Sequence, residues 1–222
     1  MDVDPAQLTT DERYRLLTGA IVPRPIAFVS TVSPQGATNL APYSFFSGAG
    51  ADPMALVFCP TTRPDGSDKD TLRNLLPREE GGVGEFVVNV SSLALARPIN
   101  AAAANLPADE SEFALTGLTP APCSVVQAPR VLEAPISFEC RTVSVVRLAP
   151  GVPASGVVVV GEVVHVWVRD ELVDDGFRVD IEALAPLARL AGGWFAGVQD
   201  PFSLPRGVAA MTAPVHRKPK TP

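Results

Sequence analysis

Residues 61–74, with the sequence TTRPDGSDKDTLRN, bring together groups that bind an anion. The stretch 67–71 supplies a helix start, hydroxyls and the cation Lys69, and Asn74 lies about one helical turn beyond Thr71 on the same face. A phosphate binds well where the backbone N–H groups of a helix start meet hydroxyl donors and a cation. The segment predicts a phosphate site, although a capped surface helix with solvated charges would have the same composition.

Residues 39–46, with the sequence NLAPYSFF, have the composition of a wall for a flat ring. Small and apolar residues next to Pro42 let backbone amides approach a planar ligand closely. Three aromatic rings can stack on the ligand or close the pocket, namely those of Tyr43, Phe45 and Phe46. The alternative is a strand whose aromatic side chains belong to the core. Together the two segments predict a pocket for a flat ring and a phosphate, as flavin mononucleotide (FMN) requires.

The chain is poor in the residues that usually carry acid–base or metal chemistry. It has two histidines and no GxxxxGK[ST], HExxH or GxSxG motif, so neither a histidine-based triad nor a metal site is expected. A bound cofactor is therefore expected to carry the difficult step. His165, in the predicted strand GEVVHVWV, is the candidate catalytic residue, although a lone histidine in a strand is more often structural.

The composition indicates one domain. With 222 residues, of which 46% are hydrophobic, the chain can fill one sizeable core. We assign residues 1–207 to this domain and predict that residues 208–222, which end in a basic, proline-containing stretch, form a disordered tail.

Charge and hydropathy exclude several classes of partner. The net charge of −6 works against nucleic-acid binding. The polar N-terminus and the lack of any apolar run of eighteen residues predict no membrane span and a cytoplasmic protein. Three cysteines without a CxxC pair suggest neither a disulfide framework nor a zinc site.

Six strands and a few inserted helices are predicted. The strands are Ile26–Val32, Ala37–Phe46, Ala55–Cys59, Glu85–Val90, Ile136–Leu148 and Val157–Val168, the last two forming a hairpin. The helices are one from Asp68 to before Pro77, capped by Ser67 or Asp68, one over Ser92–Ala104, and a short one within Val179–Leu190 broken by Pro186. The fold class is mainly β with inserted helices, and this number of strands fits a closed barrel.

Four stretches occur in an order that resembles a known family. They are RPIAFVST at 24–31, NLAPYSFF at 39–46, KDTLRN at 69–74, and the late pair GEVVHVWV at 161–168 and RLAGGW at 189–194. The chain resembles the flavin reductase-like, FMN-binding split-barrel family, including its DIM6/NTAB-like group, over most of residues 13–197. The resemblance implies a Greek-key split β-barrel that forms a homodimer with FMN near the subunit interface.

The resemblance also implies the site residues, position by position. The ribityl phosphate would be surrounded by Ser30, Thr31, Lys69, Asp70, Thr71 and Asn74. The isoalloxazine would be lined, through backbone groups, by Asn39, Ala41, Pro42, Tyr43, Ser44, Phe45 and Phe46. Near the flavin or the nicotinamide would lie His165, Arg189 and Trp194, from the same or the second subunit.

Two functions are consistent with these expectations. The first is an NAD(P)H-dependent flavin oxidoreductase in which reduced pyridine nucleotide stacks directly on the flavin, because the sequence has no separate nicotinamide-binding domain. Its reduced flavin could then supply a partner monooxygenase. The second is an FMN-binding redox protein that exchanges electrons with a protein partner and has no reductase activity of its own. A barrel that keeps the fold without the flavin is a third possibility.

Overall fold

The structure of this chain is a computed structural model that describes residues 1–107 and 110–217. Its centre is a seven-stranded antiparallel sheet. The strands, numbered along the chain, are β1 (Ala27–Val32), β2 (Thr38–Tyr43), β3 (Phe46–Ala51), β4 (Met54–Phe58), β5 (Glu85–Val90), β6 (Ile136–Arg147) and β7 (Val157–Val168). The order across the sheet is β2-β1-β5-β6-β7-β4-β3.

The strand order requires the sheet to roll up. Strands β2 and β3 are the two edges of the sheet, yet only Ser44 and Phe45 separate them in the chain. Three peptide steps reach about 11 Å at most, so the end of one edge must lie close to the start of the other. The sheet is therefore a barrel split between β2 and β3, which confirms the predicted fold class.

Strand β1 is buried on both faces. Ala27 and Val29 point into the barrel core with Phe58 and Phe86, whereas Phe28 packs in a second cluster outside the barrel. A strand covered on both sides reads as a continuous apolar run rather than as an alternating one. This explains the unbroken hydrophobic stretch in the sequence.

Five α-helices cover the barrel and its open ends. They are α1 (Thr10–Ala20), α2 (Asp70–Leu75), α3 (Ala96–Ala101), α4 (Glu112–Thr116) and α5 (Ile181–Leu184). Helices α3 and α4 supply Ile99 and Phe113 to the cluster outside the barrel. Short strands Arg24–Pro25, Leu187–Arg189 and Phe195–Gly197 form a small antiparallel sheet beside it. None of the helices in residues 1–107 and 110–217 has the length and hydropathy needed to cross a membrane.

Two predictions of local structure were wrong. The expected strand Ala37–Phe46 is divided by the bend at Ser44 and Phe45, because its first half pairs with β1 and its second half with β4. Helix α2 begins at Asp70 with Lys69 as N-cap and without a side-chain capping bond, so neither Ser67 nor Asp68 is the cap.

The two side chains that were predicted as caps form hydrogen bonds with other residues. The Ser67 hydroxyl donates to Asp65, and the Asp68 carboxylate accepts two bonds from Arg147, at 2.6 and 2.8 Å. Within the predicted helix Ser92–Ala104, the helical part is a 3-10 turn at Leu93–Leu95 followed by α3.

The remaining predictions have mixed outcomes. The β6–β7 hairpin is confirmed, and α5 ends before Pro186 as expected. In the predicted tail, a 3-10 turn spans Gly207–Met211 and His216–Arg217 pair with Phe202–Ser203. Residues 218–222 lie outside the described part of the chain. The domain boundary at 207 and the disorder of the tail stay predictions.

Candidate functional site

A buried cluster of amides and hydroxyls joins α2 to the barrel. Asn39 on β2 donates from Nδ2 to the Thr71 hydroxyl at 2.8 Å and to the Thr31 hydroxyl at 3.3 Å. Asn74 Nδ2 donates to Thr31 at 3.0 Å. Thr31, Thr71 and Asn74 are all buried. Since buried polar groups are costly unless they are paired, this cluster fixes the start of α2 against β1 and β2.

Lys69 is a half-buried cation next to this cluster. Its Nζ lies 6.0 Å from the centroid of the Tyr43 ring. Burial, and then the positive charge of Arg63, lowers the pKa of Lys69 below its ordinary value. Among the described residues, no carboxylate lies within 4.0 Å of its ammonium group. An anion placed here would meet a cation that the protein itself does not neutralise.

The acidic residues of the segment, in contrast, are neutralised by arginines. Asp70 forms ion pairs with both Arg63 and Arg73, and Asp68 pairs with Arg147. Arg63 is additionally held by the backbone carbonyl of Asp68, at 2.7 Å. Asp70 was predicted to surround the phosphate, and in the structure its carboxylate instead positions the guanidinium of Arg63.

A cavity of about 330 Å³ opens over Lys69 and the cluster. Seven of the predicted residues line it, namely Asn39, Ala41, Pro42, Tyr43, Lys69, Asp70 and Thr71. The walls are completed by Arg63, Pro64, the stretch 102–106 after α3, and Glu112. Sequence reasoning missed all of these. Arg63 could have been found as the second cation of the segment 61–74, whereas the alanine-rich stretch 102–106 carries no chemical signal.

Two further cavities continue this one in opposite directions. One of about 500 Å³ shares Asn39 and Asp70 and contains Asn74. The other, of about 200 Å³, shares Pro42 and contains Ser44 and Arg189. The three cavities adjoin one another through these shared residues, and together we call them the groove, which extends from Asn74 past Pro42 to Arg189.

Two ionisable groups that line the groove have raised pKa values. Burial raises the pKa of Tyr43 above its ordinary value, so that its phenol is neutral. Burial likewise raises the pKa of Glu112, whose carboxyl accepts the backbone N–H of Leu40 at 2.8 Å. Tyr43 therefore adds no negative charge beside Lys69.

Three predicted residues have their side chains away from the groove. Ser30 is fully buried on the face of β1 opposite Thr31, where its hydroxyl donates to Pro129 O at 2.5 Å and accepts from Asn89 at 3.1 Å. Phe46 packs on the barrel core. Phe45 lines a separate cavity beside α1.

His165 and Trp194 also lie apart from the residues that line the groove. His165 is exposed on β7, where it is the register partner of Glu139. Trp194 is 75% exposed in a turn closed by its N–H bond to Ala191 O. Within one chain, the structure therefore brings together most of the residues predicted for the phosphate and the ring, but not Ser30, Phe45 and Phe46, nor His165 and Trp194.

The comparisons with known proteins identify the family. Residues 19–186 match the model of the flavin reductase like domain. The chain therefore belongs to the flavin reductase-like family, as its motifs indicated. It is also 41% identical over 208 residues to an uncharacterised protein of Halalkalibacterium halodurans, a match that covers 93% of this chain and 96% of the relative.

Solved structures with the same fold support this family assignment. Nitrilotriacetate monooxygenase component B from Bacillus cereus has a TM-score of 0.84 and 38% identity, covering 92% of this chain and 98% of that one. A split barrel domain protein from Shewanella frigidimarina has a TM-score of 0.78 and 25% identity, covering 93% and 100%. The split-barrel architecture is thus shared along nearly the whole length.

Replacing Thr31 by Val should destabilise the fold by about 1–3 kcal/mol, because Asn39 and Asn74 would lose the acceptor that they share in a buried position. Urea unfolding of the protein without added flavin measures this loss. The control is Thr38→Val on β2, whose hydroxyl pairs with Ser111 in a partly solvated position and should matter less. Equal losses in both variants would show that the cluster is not special.

Proposed function

We propose that this protein is an oxidoreductase that holds FMN in the groove and transfers a hydride from NAD(P)H to it. The observation that carries the proposal is the unneutralised ammonium of Lys69 beside the amide–hydroxyl cluster, in the middle cavity of the groove. Membership of the flavin reductase-like family supports a flavin as the ligand.

The donors at Lys69 fit the phosphate of FMN. Lys69 offers an unneutralised charge, and Arg63 offers a guanidinium fixed by Asp70. The Thr71 hydroxyl accepts from Asn39 and is also hydrogen-bonded to Tyr43, so it holds the start of α2 in place beside these two cations. Charge-assisted bonds of this kind are the strongest that a protein makes to phosphate. The buried side chain of Ser30 is left out of this set.

The end of the groove near Arg189 fits the ring. Strand β2 is an edge of the sheet, so the backbone groups on its outer side have no partner strand. Pro42 and Ser44 line the groove where this edge ends. Backbone donors and acceptors could therefore hold the polar edge of an isoalloxazine while Pro42 contacts its face.

The protein's part in the reaction is position and charge. Bound FMN would supply a hydride acceptor at N5. The groove residues would orient the ring, exclude water and hold the phosphate, and none of them needs to move a proton. A role for His165 or Trp194 requires a second subunit and remains a prediction, as does a cytoplasmic location.

Supply of reduced flavin to a monooxygenase is part of the proposal. It is supported by the similarity to a protein described as component B of a nitrilotriacetate monooxygenase. A reductase that loads a diffusible flavin would be expected to bind it in an open groove of this kind rather than in a closed cavity.

We also propose that the chain forms a homodimer. Val143 and Leu148 are 60% and 69% exposed. An apolar cavity of about 790 Å³ lies between α1 and this region. Exposed apolar side chains beside an apolar cavity are a feature of many interfaces. Light scattering should give twice the chain mass of 23.3 kDa, and Leu148→Asp should lower the mass toward one chain. A wild-type mass of one chain at working concentration would contradict the dimer.

Mixing the protein with FMN and then NADH or NADPH without air should bleach the flavin absorbance near its visible maximum within seconds, because hydride transfer reduces the ring. Stopped-flow absorbance measures the rate. Binding of FMN without bleaching by either nucleotide would favour an electron-transfer protein. Protein that does not quench FMN fluorescence would favour a barrel without flavin.

Replacing Lys69 by Ala should weaken FMN binding by about 1.5–3 kcal/mol, the scale of a charge-assisted bond. A fluorescence titration measures the affinity. Because the pKa of Lys69 is lowered, the wild-type protein should lose FMN affinity with rising pH earlier than an ordinary lysine would allow, and the variant should lack this loss.

The matched control for this change is Arg178→Ala. It removes the same charge from an 84% exposed side chain paired with Asp174. Lys69→Arg should restore part of the affinity. An affinity for FMN that is unchanged in Lys69→Ala would remove this residue from the site.

A further inference from the structure

A second positively charged pocket lies beyond the ring end of the groove. This cavity, of about 290 Å³, is lined by Arg15, Arg24 and Arg189, with Tyr14, Thr18 and the turn 191–192. We call it the arginine pocket. No acidic side chain is among the described residues that line it.

Arg24 is the buried member of the three and has no carboxylate partner in the described chain. Its guanidinium donates to Thr18 O at 2.6 Å, to Ile21 O at 2.7 Å and to Leu190 O at 3.1 Å. These carbonyls satisfy its N–H groups but do not neutralise its charge. A buried charge without a counterion is costly.

Arg189 adds a second positive charge next to it. The two arginines are directly opposite each other in the small antiparallel sheet, and like charges in this position repel. Burial, together with the charge of Arg189, lowers the pKa of Arg24. The Arg189 guanidinium is held at 4.5 Å over the ring of Phe195 and by Gly192 O. An anion between the arginines would relieve this repulsion.

The arginine pocket is connected to the groove. Tyr14 and Arg189 line both this pocket and the cavity that contains Ser44. Arg24 also donates from Nε to the Ser44 hydroxyl at 3.2 Å. Lys69 and Arg63 lie in the neighbouring cavity on the other side of Pro42. A flavin with its phosphate at Lys69 would therefore leave the arginine pocket free.

Most of the pocket lies outside the segment that matches the family model. Tyr14, Arg15 and Thr18 precede residue 19, and Arg189 follows residue 186. The pocket is thus formed by the flanking parts of this chain, with Arg24 as its link to the shared barrel.

We propose that the arginine pocket binds a phosphate group of the reduced pyridine nucleotide, so that its nicotinamide can reach the flavin ring at Ser44. This inference depends on the proposed function for the identity of the second substrate. Arginine recognises phosphate through two parallel bonds, which makes it the preferred cation for this task. The group bound is either the pyrophosphate, which NADH and NADPH share, or the 2′-phosphate of NADPH.

Calorimetric titration of the FMN-loaded protein with ADP and with 2′,5′-ADP tests the pocket without requiring turnover. Arg15→Gln and Arg189→Gln should each weaken binding at least tenfold. Loss for ADP, with or without loss for 2′,5′-ADP, indicates the 5′ end where the nucleotide carries its pyrophosphate, because both ligands have a phosphate there. Loss for 2′,5′-ADP alone indicates the 2′-phosphate. Arg24 is left unchanged because it also ties down the end of α1. The control is Arg78→Gln, an exposed arginine that does not line the groove or the pocket.

Turnover gives a second measurement on the same proteins. The KM for the nucleotide should rise at least tenfold in Arg15→Gln, while kcat changes by less than about threefold, because the residue binds a remote phosphate rather than the reacting ring. FMN affinity, measured in parallel, reports whether the flavin site is damaged.

Several results would overturn the assignment. They are wild-type protein that binds neither ligand, losses below threefold in both pocket variants, an equal loss in Arg78→Gln, or a parallel loss of FMN affinity in Arg15→Gln, whose side chain does not line the groove. If wild-type protein reduces FMN with a nucleotide while the variants bind normally, the pocket assignment fails and the proposed function stands. If neither nucleotide is oxidised but ADP binding depends on Arg15, the proposed function fails and the anion pocket stands.

Discussion

The bend between β2 and β3 is the constraint on which the site depends. It makes one continuous piece of chain serve as both edges of the barrel. The edge of β2 therefore stays unpaired next to Pro42 and Ser44, where an extended strand would have been covered by its neighbour. Ser44, at the bend, also receives a hydrogen bond from Arg24. Ser44 therefore lies both at the bend that joins the two barrel edges and at the junction between the groove and the arginine pocket.

Charge is distributed along the groove by selective pairing. Asp68 and Asp70 neutralise three arginines, yet Lys69 between them in sequence has no such partner among the described residues. Paired and unpaired charges alternate at the start of α2. Lys69 is the last residue before the helix, and Asp70 is the first residue within it. Docking of α2 by Asn39 and Asn74 then holds the free ammonium over the cavity.

Much of the fold and part of the site could be predicted from the sequence. The β6–β7 hairpin and the segment around Lys69 and Thr71 follow from local patterns, because they depend on residues close in the chain. Ser30 shows why the rest could not. Side chains alternate along a strand, but both faces of β1 are buried, so hydropathy did not reveal that Ser30 and Thr31 point to opposite sides.

Hydrogen bonds between residues far apart in the chain also limit what the sequence can predict about the site. Arg24 lies in the recognised stretch RPIAFVST, yet its partners are the end of α1 and Leu190, which is 166 residues away. A pocket whose residues come from both ends of a domain cannot be predicted from a local sequence pattern. Because its walls flank the segment matched by the family model, the arginine pocket can differ between relatives that share the barrel. Specificity for the second substrate would then vary through Arg15 and Thr18, which line the arginine pocket and none of the three cavities of the groove.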